Sequence, residues 1–300
     1  MNLKSIIYLF ALAAIWGASF LFMRVAVPSL GPVLVTEFRV VLAAVFLLLV
    51  SLHLKKSLQA KENWKHFFIL GLFNSTLPFL LFTYAALSLT ASLLSILNAT
   101  APIWGVLIVS VWTKKALTKK TVLGLALGIT GVYLLVGFDQ VALQPEALPA
   151  VIATLLAAFS YGVASTYAQL SKKVEPFTNA HGSMWAASIM LVPFLPLFPA
   201  NATPEPDVVY MVIVLGVLCT GIAYIIYFNL IADIGASSAL TVTYLVPVFG
   251  ILWGVIFLNE QVGLHTLLGT LVILAGTALV TNFNITSLLK KNKTEKLIIR

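Results

Sequence analysis

Hydrophobic positions in this chain gather into continuous runs of about twenty residues, the length that crosses a hydrocarbon core as a helix, separated by short polar links. Ten runs are read, over residues 4–27, 33–52, 65–87, 91–112, 118–137, 148–170, 177–198, 208–231, 236–258 and 263–282. Barrel strands alternate apolar and polar positions over about ten residues, so continuous runs argue against a membrane β-barrel. The second run carries Glu37 and Arg39 near its start, and the seventh carries Pro193 and Pro196. The first run is too long for a signal peptide and contains Arg24, so it reads as a retained helix.

Composition agrees with this pattern. The chain is 60% hydrophobic and 9% charged, with a mean hydropathy of +1.03, whereas a soluble domain is about 25% charged. The single cysteine, Cys219, excludes an intrachain disulfide and reads as a small buried filler.

The formal net charge of +8 changes the picture through its placement. Lys4, Lys55, Lys56, Lys61, Lys65, Lys114, Lys115, Lys119, Lys120, Lys172 and Lys173, with Lys290, Lys291, Lys293, Lys296 and Arg300 of the tail, fall on one side of a ten-helix arrangement. The opposite links hold Asp139, Glu146, Glu205, Asp207 and Glu260 without Lys or Arg. By the positive-inside rule both termini are cytoplasmic, and the protein lies in the cell membrane. The basic charge is a topology signal, and no nucleic-acid partner is expected.

The chain also repeats itself. Residues 70–136 fall without a gap on 215–281 at an offset of 145: Gly71 on Gly216, Ala91-Ser92 on Ala236-Ser237, Pro102 on Pro247, Gly105 on Gly250, Gly124 on Gly269 and Gly131 on Gly276. Matching Pro and Gly mean more than matching Leu, because they mark kinks and close backbone approach. Five helices per copy is an odd number, so the second copy enters the membrane inverted. Equivalent links then carry opposite charge bias, as Lys114-Lys115 and Asn259-Glu260 do. The expected fold is an all-α polytopic membrane protein of ten transmembrane helices in two inverted five-helix repeats. The repeats occupy 1–140 and 141–285, followed by a basic cytoplasmic tail at 286–300.

Several residues are candidates for chemistry. Pro102 and Pro247 are equivalent across the repeat and read as a pair of hinges or as static kinks. Ser75, Phe79 and Phe82 share one helix side, and Thr220, Tyr224 and Tyr227 repeat it, which suits either a cavity wall or helix packing. Asn74 and Asn98 need partners away from lipid, and Thr243 lies in the same group of helices. Trp16, its counterpart Tyr161, and Trp185 lie mid-helix rather than at the interface, which favours a cavity. Glu37 and Arg39, with Arg24, read either as an ion pair tying helix ends or as a coupling or gating site. The glycine stripe Gly124, Gly128 and Gly131, with Gly269 and Gly276, suits packing of the fifth run on the tenth, or dimerisation. No phosphate-binding loop, H-E-x-x-H, Cys/His metal cluster or paired mid-membrane Asp is present, which argues against an enzyme and against any metal or cofactor.

With these residues in view, the chain resembles the EamA-type carriers of the drug/metabolite transporter superfamily over essentially its whole length. The resemblance rests on Ala14-Ile-Trp-Gly-Ala-Ser-Phe20, Glu37-Phe-Arg39, Pro102 and Pro247, and Leu258-Asn-Glu-Gln-Val262 leading into the Gly269/Gly276 helix. One departure is Lys114-Lys115 in the first copy, where the family often has Gly-Glu. It argues against Glu260 as a coupling residue in a symmetric mechanism. The resemblance implies secondary transport, commonly export, of a small metabolite such as an amino acid, nucleobase or drug-like compound. It also implies a central cavity between the first, third, fourth, sixth, eighth and ninth helices. The expected partners are that small substrate and the lipid bilayer, with proton or exchange coupling, in a monomer or homodimer. A passive facilitator on the same scaffold and a non-transporting interaction protein are the alternatives.

Overall fold

A computed structural model describes residues 3–234, 239 and 241–281, and among them it is all helix, turn and loop. Backbone N–H and C=O groups have no water partners in lipid, so an apolar run of this length satisfies them within a helix. The longest rod, Leu3–His53, has one non-helical residue, Gly31, at φ 76° and ψ 163°. Met23 and Arg39, sixteen positions apart, touch at 3.5 Å, where a straight helix would hold them about 24 Å apart. The rod therefore folds back at Gly31, whose positive φ suits a residue without a side chain. Its limbs are α1 (3–30) and α2 (32–53).

The other rods are α3 (Ala60–Ala85), α4 (Ala91–Thr113), α5 (Lys119–Gly137) and α6 (Leu148–Leu170). They are followed by α7 (Pro176–Leu191), α8 (Pro206–Gly216, continued through Val217–Ile222 to Ala223–Ile234), α9 (Val242–Leu258) and α10 (Leu264–Val280). Each of the ten stretches read from the sequence falls on one of these rods or limbs. Most boundaries shift by a few residues, and two shifts have consequences. α3 begins at Ala60, so Lys61 and Lys65 lie on its first turns. α7 passes into a 3-10 turn at Val192–Leu197, because Pro193 and Pro196 lack the N–H of a regular helix. Ala236-Ser237 of the repeat and the basic tail lie outside the described residues.

The packing repeats with the sequence. α1 crosses α9 at Gly17, where a Cβ would stand 2.9 Å from the Gly250 nitrogen. α6 crosses α4 at Gly162, where a Cβ would stand 2.8 Å from the Gly105 nitrogen. Gly71 brings α3 onto α7, and Gly216 brings α8 onto α2, again in equivalent places. α5 and α10 lie side by side, so close that a Cβ on Gly124 would meet the Gly276 carbonyl at 2.7 Å. The glycine stripe is thus used within the chain. Side chains away from these seams, such as Val111 (79% exposed) and Ile129 (73% exposed), form the apolar outer surface that a bilayer requires.

Bonds between links tie both ends of the bundle. At the lysine-rich end, Lys56 pairs with Glu175, Lys4 lies 3.7 Å from Asp233, and Lys172 donates to the Glu62 carbonyl at 2.7 Å. At the other end, the Asn201 N–H donates to the Ser29 carbonyl at 2.8 Å. Glu260 meets the start of α4 at that end, and His265 lies 3.5 Å from Asp139.

Candidate functional site

α3 and α8 each contain one π-turn, Leu72–Thr76 and Val217–Ile222. Their first residues are 145 positions apart, so the irregularity belongs to the repeat. Such turns are rare and concentrate at functional sites. Both put polar residues into an apolar run, Asn74-Ser75-Thr76 and Cys219-Thr220-Gly221. Pro78 is not their shared cause, since Ala223 stands at the equivalent place. In α8 the Thr220 hydroxyl donates to the Leu215 carbonyl, five residues back, at 3.0 Å.

A bond crosses between the repeats beside the second turn. Asn74 Nδ2 donates to the Tyr224 hydroxyl at 2.7 Å, a bond between residues 150 positions apart. Around it the rings of Trp16 and Tyr227 lie 5.4 Å apart, and those of Phe82 and Tyr161 lie 6.1 Å apart. The Arg39 guanidinium covers the Phe79 ring at 3.6 Å and donates from Nε to Thr220 at 3.0 Å. Trp185 donates to His181 Nε2 at 2.9 Å, which leaves the His181 proton on Nδ1, and it packs against the group that holds Phe79, Tyr161 and Tyr224. Trp16, Asn74, Tyr161, Trp185 and Tyr224 each keep partial exposure while packing against other rods. Aromatic faces, amide and hydroxyl groups and one guanidinium therefore cluster among the rods. This cluster suits reversible binding of a small molecule. Among the described residues no cluster of His, Cys, Asp and Glu has metal-ligand geometry.

Asn98 ends the first segment of α4, at a break over Ala99–Thr100, and its Oδ1 is buried without a hydrogen bond among the described residues. Thr243, at the equivalent place, is half-buried in the first turn of α9. The two prolines are equivalent in sequence and not in structure. Pro102 opens the segment Ala101–Thr113, where its missing N–H costs nothing, whereas Pro247 lies inside the continuous α9.

The ion-pair alternative for the charged trio fails. Arg24 donates to the carbonyls of Ala86 and Leu87, at 2.5 and 2.8 Å, and so caps the end of α3. Glu37 Oε1 accepts from Ser188 at 2.5 Å, and its Oε2 is buried without a partner among the described residues. Glu37 and Arg39 cannot pair with each other because two helix positions turn side chains about 200° apart.

Met23, Ser188 and His66 escaped the sequence reading. His66 lies 3.1 Å from the Tyr167 hydroxyl and 3.0 Å from Asn179 Oδ1, joining α3, α6 and α7 near the lysine-rich end. A polar residue inside an apolar run was the only local signal for Ser188 and His66, and Met23 offered none.

Comparison with known proteins returns one consistent answer. The EamA-like transporter family matches residues 3–137 and again 148–282. The Uncharacterized transporter YoaV of Bacillus subtilis is 27% identical over 91% of this chain and 95% of its own length. An Uncharacterized transporter of Archaeoglobus fulgidus is 27% identical over 94% and 98%. Protein PecM of Dickeya dadantii is 23% identical over 98% and 97%. A crystal structure at 19% identity superposes with a TM-score of 0.66 over 94% of this chain and 97% of that one, which establishes the shared fold.

Proposed function

The chain belongs to the EamA-like transporter family, and we propose that it works as a secondary carrier that exports a small metabolite by alternating access. The observation that carries this reading is the Asn74–Tyr224 bond. It joins the π-turn of the first repeat to the residue two places past the π-turn of the second. Amide and phenol groups deep in a bundle are costly without partners, and inverted-repeat transporters bind substrate at the repeat interface near the midplane. Trp16, Phe79, Tyr161 and Trp185 supply the aromatic walls, and Asn98 and Thr243 widen the contact surface. The break before Pro102 and the proline within α9 serve as hinges. The lysine-rich end and both termini face the cytoplasm.

Counterflow tests the reading. Purified protein in liposomes is loaded with one unlabelled compound at a time, from a panel of amino acids, nucleobases, organic acids and cationic drugs. Transient accumulation of the matching labelled compound above equilibrium establishes a carrier. Flux that neither saturates nor shows counterflow places a passive facilitator on the same scaffold instead.

A further inference from the structure

The second π-turn holds a cation that the described residues leave without a counter-charge. Arg39 is 5% exposed. Its Nε donates to Thr220, its Nη1 lies 3.5 Å from the Met23 sulfur, and Phe79 covers one face. A guanidinium carries five N–H donors, so these two bonds leave three N–H groups with no acceptor among the described residues. No carboxylate there stands within ion-pair distance of it, since Glu37 is turned to Ser188. A buried charge without a partner is unfavourable, and charges kept inside a membrane protein mark ligand or ion paths.

The surroundings suit an anion. The Tyr161 and Tyr224 hydroxyls and the Cys219 thiol lie within electrostatic reach of Arg39. The Tyr161 hydroxyl makes no hydrogen bond among the described residues, and the residue as a whole is half-buried. The positions related to Arg39 and Tyr161 by the repeat lack this polarity. The position equivalent to Arg39 is Met184, fully buried, and the one equivalent to Tyr161 is Trp16. The cation is therefore not repeated by the symmetry of the fold, and Trp16 with Tyr227 supplies an aromatic surface.

Resting on the carrier reading above, we propose that Arg39 receives a substrate carboxylate, so that the substrate is a small organic acid whose apolar or aromatic body lies against Trp16 and Tyr227. Three free N–H groups in a planar fork match a carboxylate, which accepts two of them in parallel. One cation balances one negative charge, which favours a monocarboxylate over a phosphate ester. An amino acid shares this carboxylate chemistry, but Glu37 is turned away and supplies no partner for its amine. A monoanion leaving the cell also moves with the inside-negative membrane potential, in the exporting direction.

The test is binding to the full chain in detergent, read from tryptophan fluorescence. The probes are valerate, 3-phenylpropionate and phenylalanine, each against its own amide. At least one acid binds about tenfold more tightly than its amide, the gain from one charge-assisted contact. Tighter binding of 3-phenylpropionate than of phenylalanine favours the plain acid, and the reverse order favours the amino acid. Arg39→Gln removes the preference for acid over amide. Arg39→Lys, which keeps the charge and loses the fork, weakens the acid and leaves the amide unchanged, and Tyr161→Phe weakens the acid further. The proposal is overturned if no acid binds better than its amide, if Arg39→Gln keeps the preference, or if Arg39→Lys weakens both probes alike. An acid preference without counterflow would sink the carrier reading and keep the site. Counterflow of a compound bound equally well as acid and amide would do the reverse.

Discussion

Glu260 grips Ser92 by two bonds from one carboxylate oxygen, accepting the backbone N–H at 3.0 Å and the hydroxyl at 2.6 Å. Its other oxygen accepts the Ala91 N–H at 2.7 Å. The loop before α10, in the second copy, thus caps the first turn of α4, in the first copy, with a negative charge where a helix N-terminus favours one. The position equivalent to Glu260 in the first copy is Lys115, which cannot accept a hydrogen bond. Lys115 therefore cannot build the same clamp at the lysine-rich end. Glu260→Ala leaves two backbone donors unpaired and should lose roughly 2 kcal/mol of stability, with Glu260→Gln losing less. Thermal unfolding in detergent measures the difference, and equal midpoints for wild type and Glu260→Ala would show that water replaces the carboxylate without cost.

The Asn74–Tyr224 bond makes a second prediction. Tyr224→Phe removes the acceptor at 2.7 Å and leaves the Asn74 amide unpaired. The lost bond is worth about 1 kcal/mol, equivalent to about a fivefold fall in counterflow rate where the bond orders the site. Asn74→Leu should fall further, because it also puts an apolar branch into the cluster. Both variants should remain monodisperse. Full transport by either would move the substrate site away from the π-turns.

A third prediction concerns the seam between α5 and α10. A Cβ on Gly276 would lie 2.6 Å from the Gly124 carbonyl and 2.7 Å from the Gly128 nitrogen. Gly276→Val should force the two helices apart and lose about 1–3 kcal/mol, as overpacking typically does. Because this stripe is consumed inside one chain, the oligomeric state of surviving protein should not change. Cross-linking in the membrane, compared between wild type and Gly276→Val, reads that outcome directly. Loss of a cross-linked dimer at unchanged stability would return the stripe to a dimer interface.

The architecture was legible because its signals are local or periodic. Apolar runs give rods, lysine placement gives alternation, and Pro and Gly at one offset give the repeat, including the close approach of Gly124 to Gly276. The site was legible only in part. Asn74 and Tyr224 each stand out as polar groups in apolar runs, but their bond spans 150 positions and no pattern along either helix specifies it. Arg24, Glu37 and Arg39 are close in sequence and suggested an ion pair, yet helical rotation and the fold at Gly31 send each to a different partner. Pro102 and Pro247 match in sequence, but the break at Ala99–Thr100 leaves only Pro102 at the start of a separate segment.

Glu37 is the remaining charged group of that trio, and its surroundings make coupling testable. It is 5% exposed, Ser188 donates to one of its oxygens at 2.5 Å, and the other oxygen is buried without a partner among the described residues. Glu37→Gln keeps the shape and can keep the Ser188 bond while removing the titratable proton. If Glu37 carries a coupling proton, accumulation driven by a pH gradient should drop in this variant to the level seen without a gradient, and substrate exchange should continue. Ser188→Ala keeps the carboxyl and removes one hydrogen bond, so it should shift the pH dependence of transport rather than abolish it. Parallel uptake assays with and without an imposed gradient separate these outcomes. Gradient-driven uptake that survives Glu37→Gln unchanged would place proton coupling elsewhere and leave Glu37 a structural partner of Ser188, bridging α2 and α7.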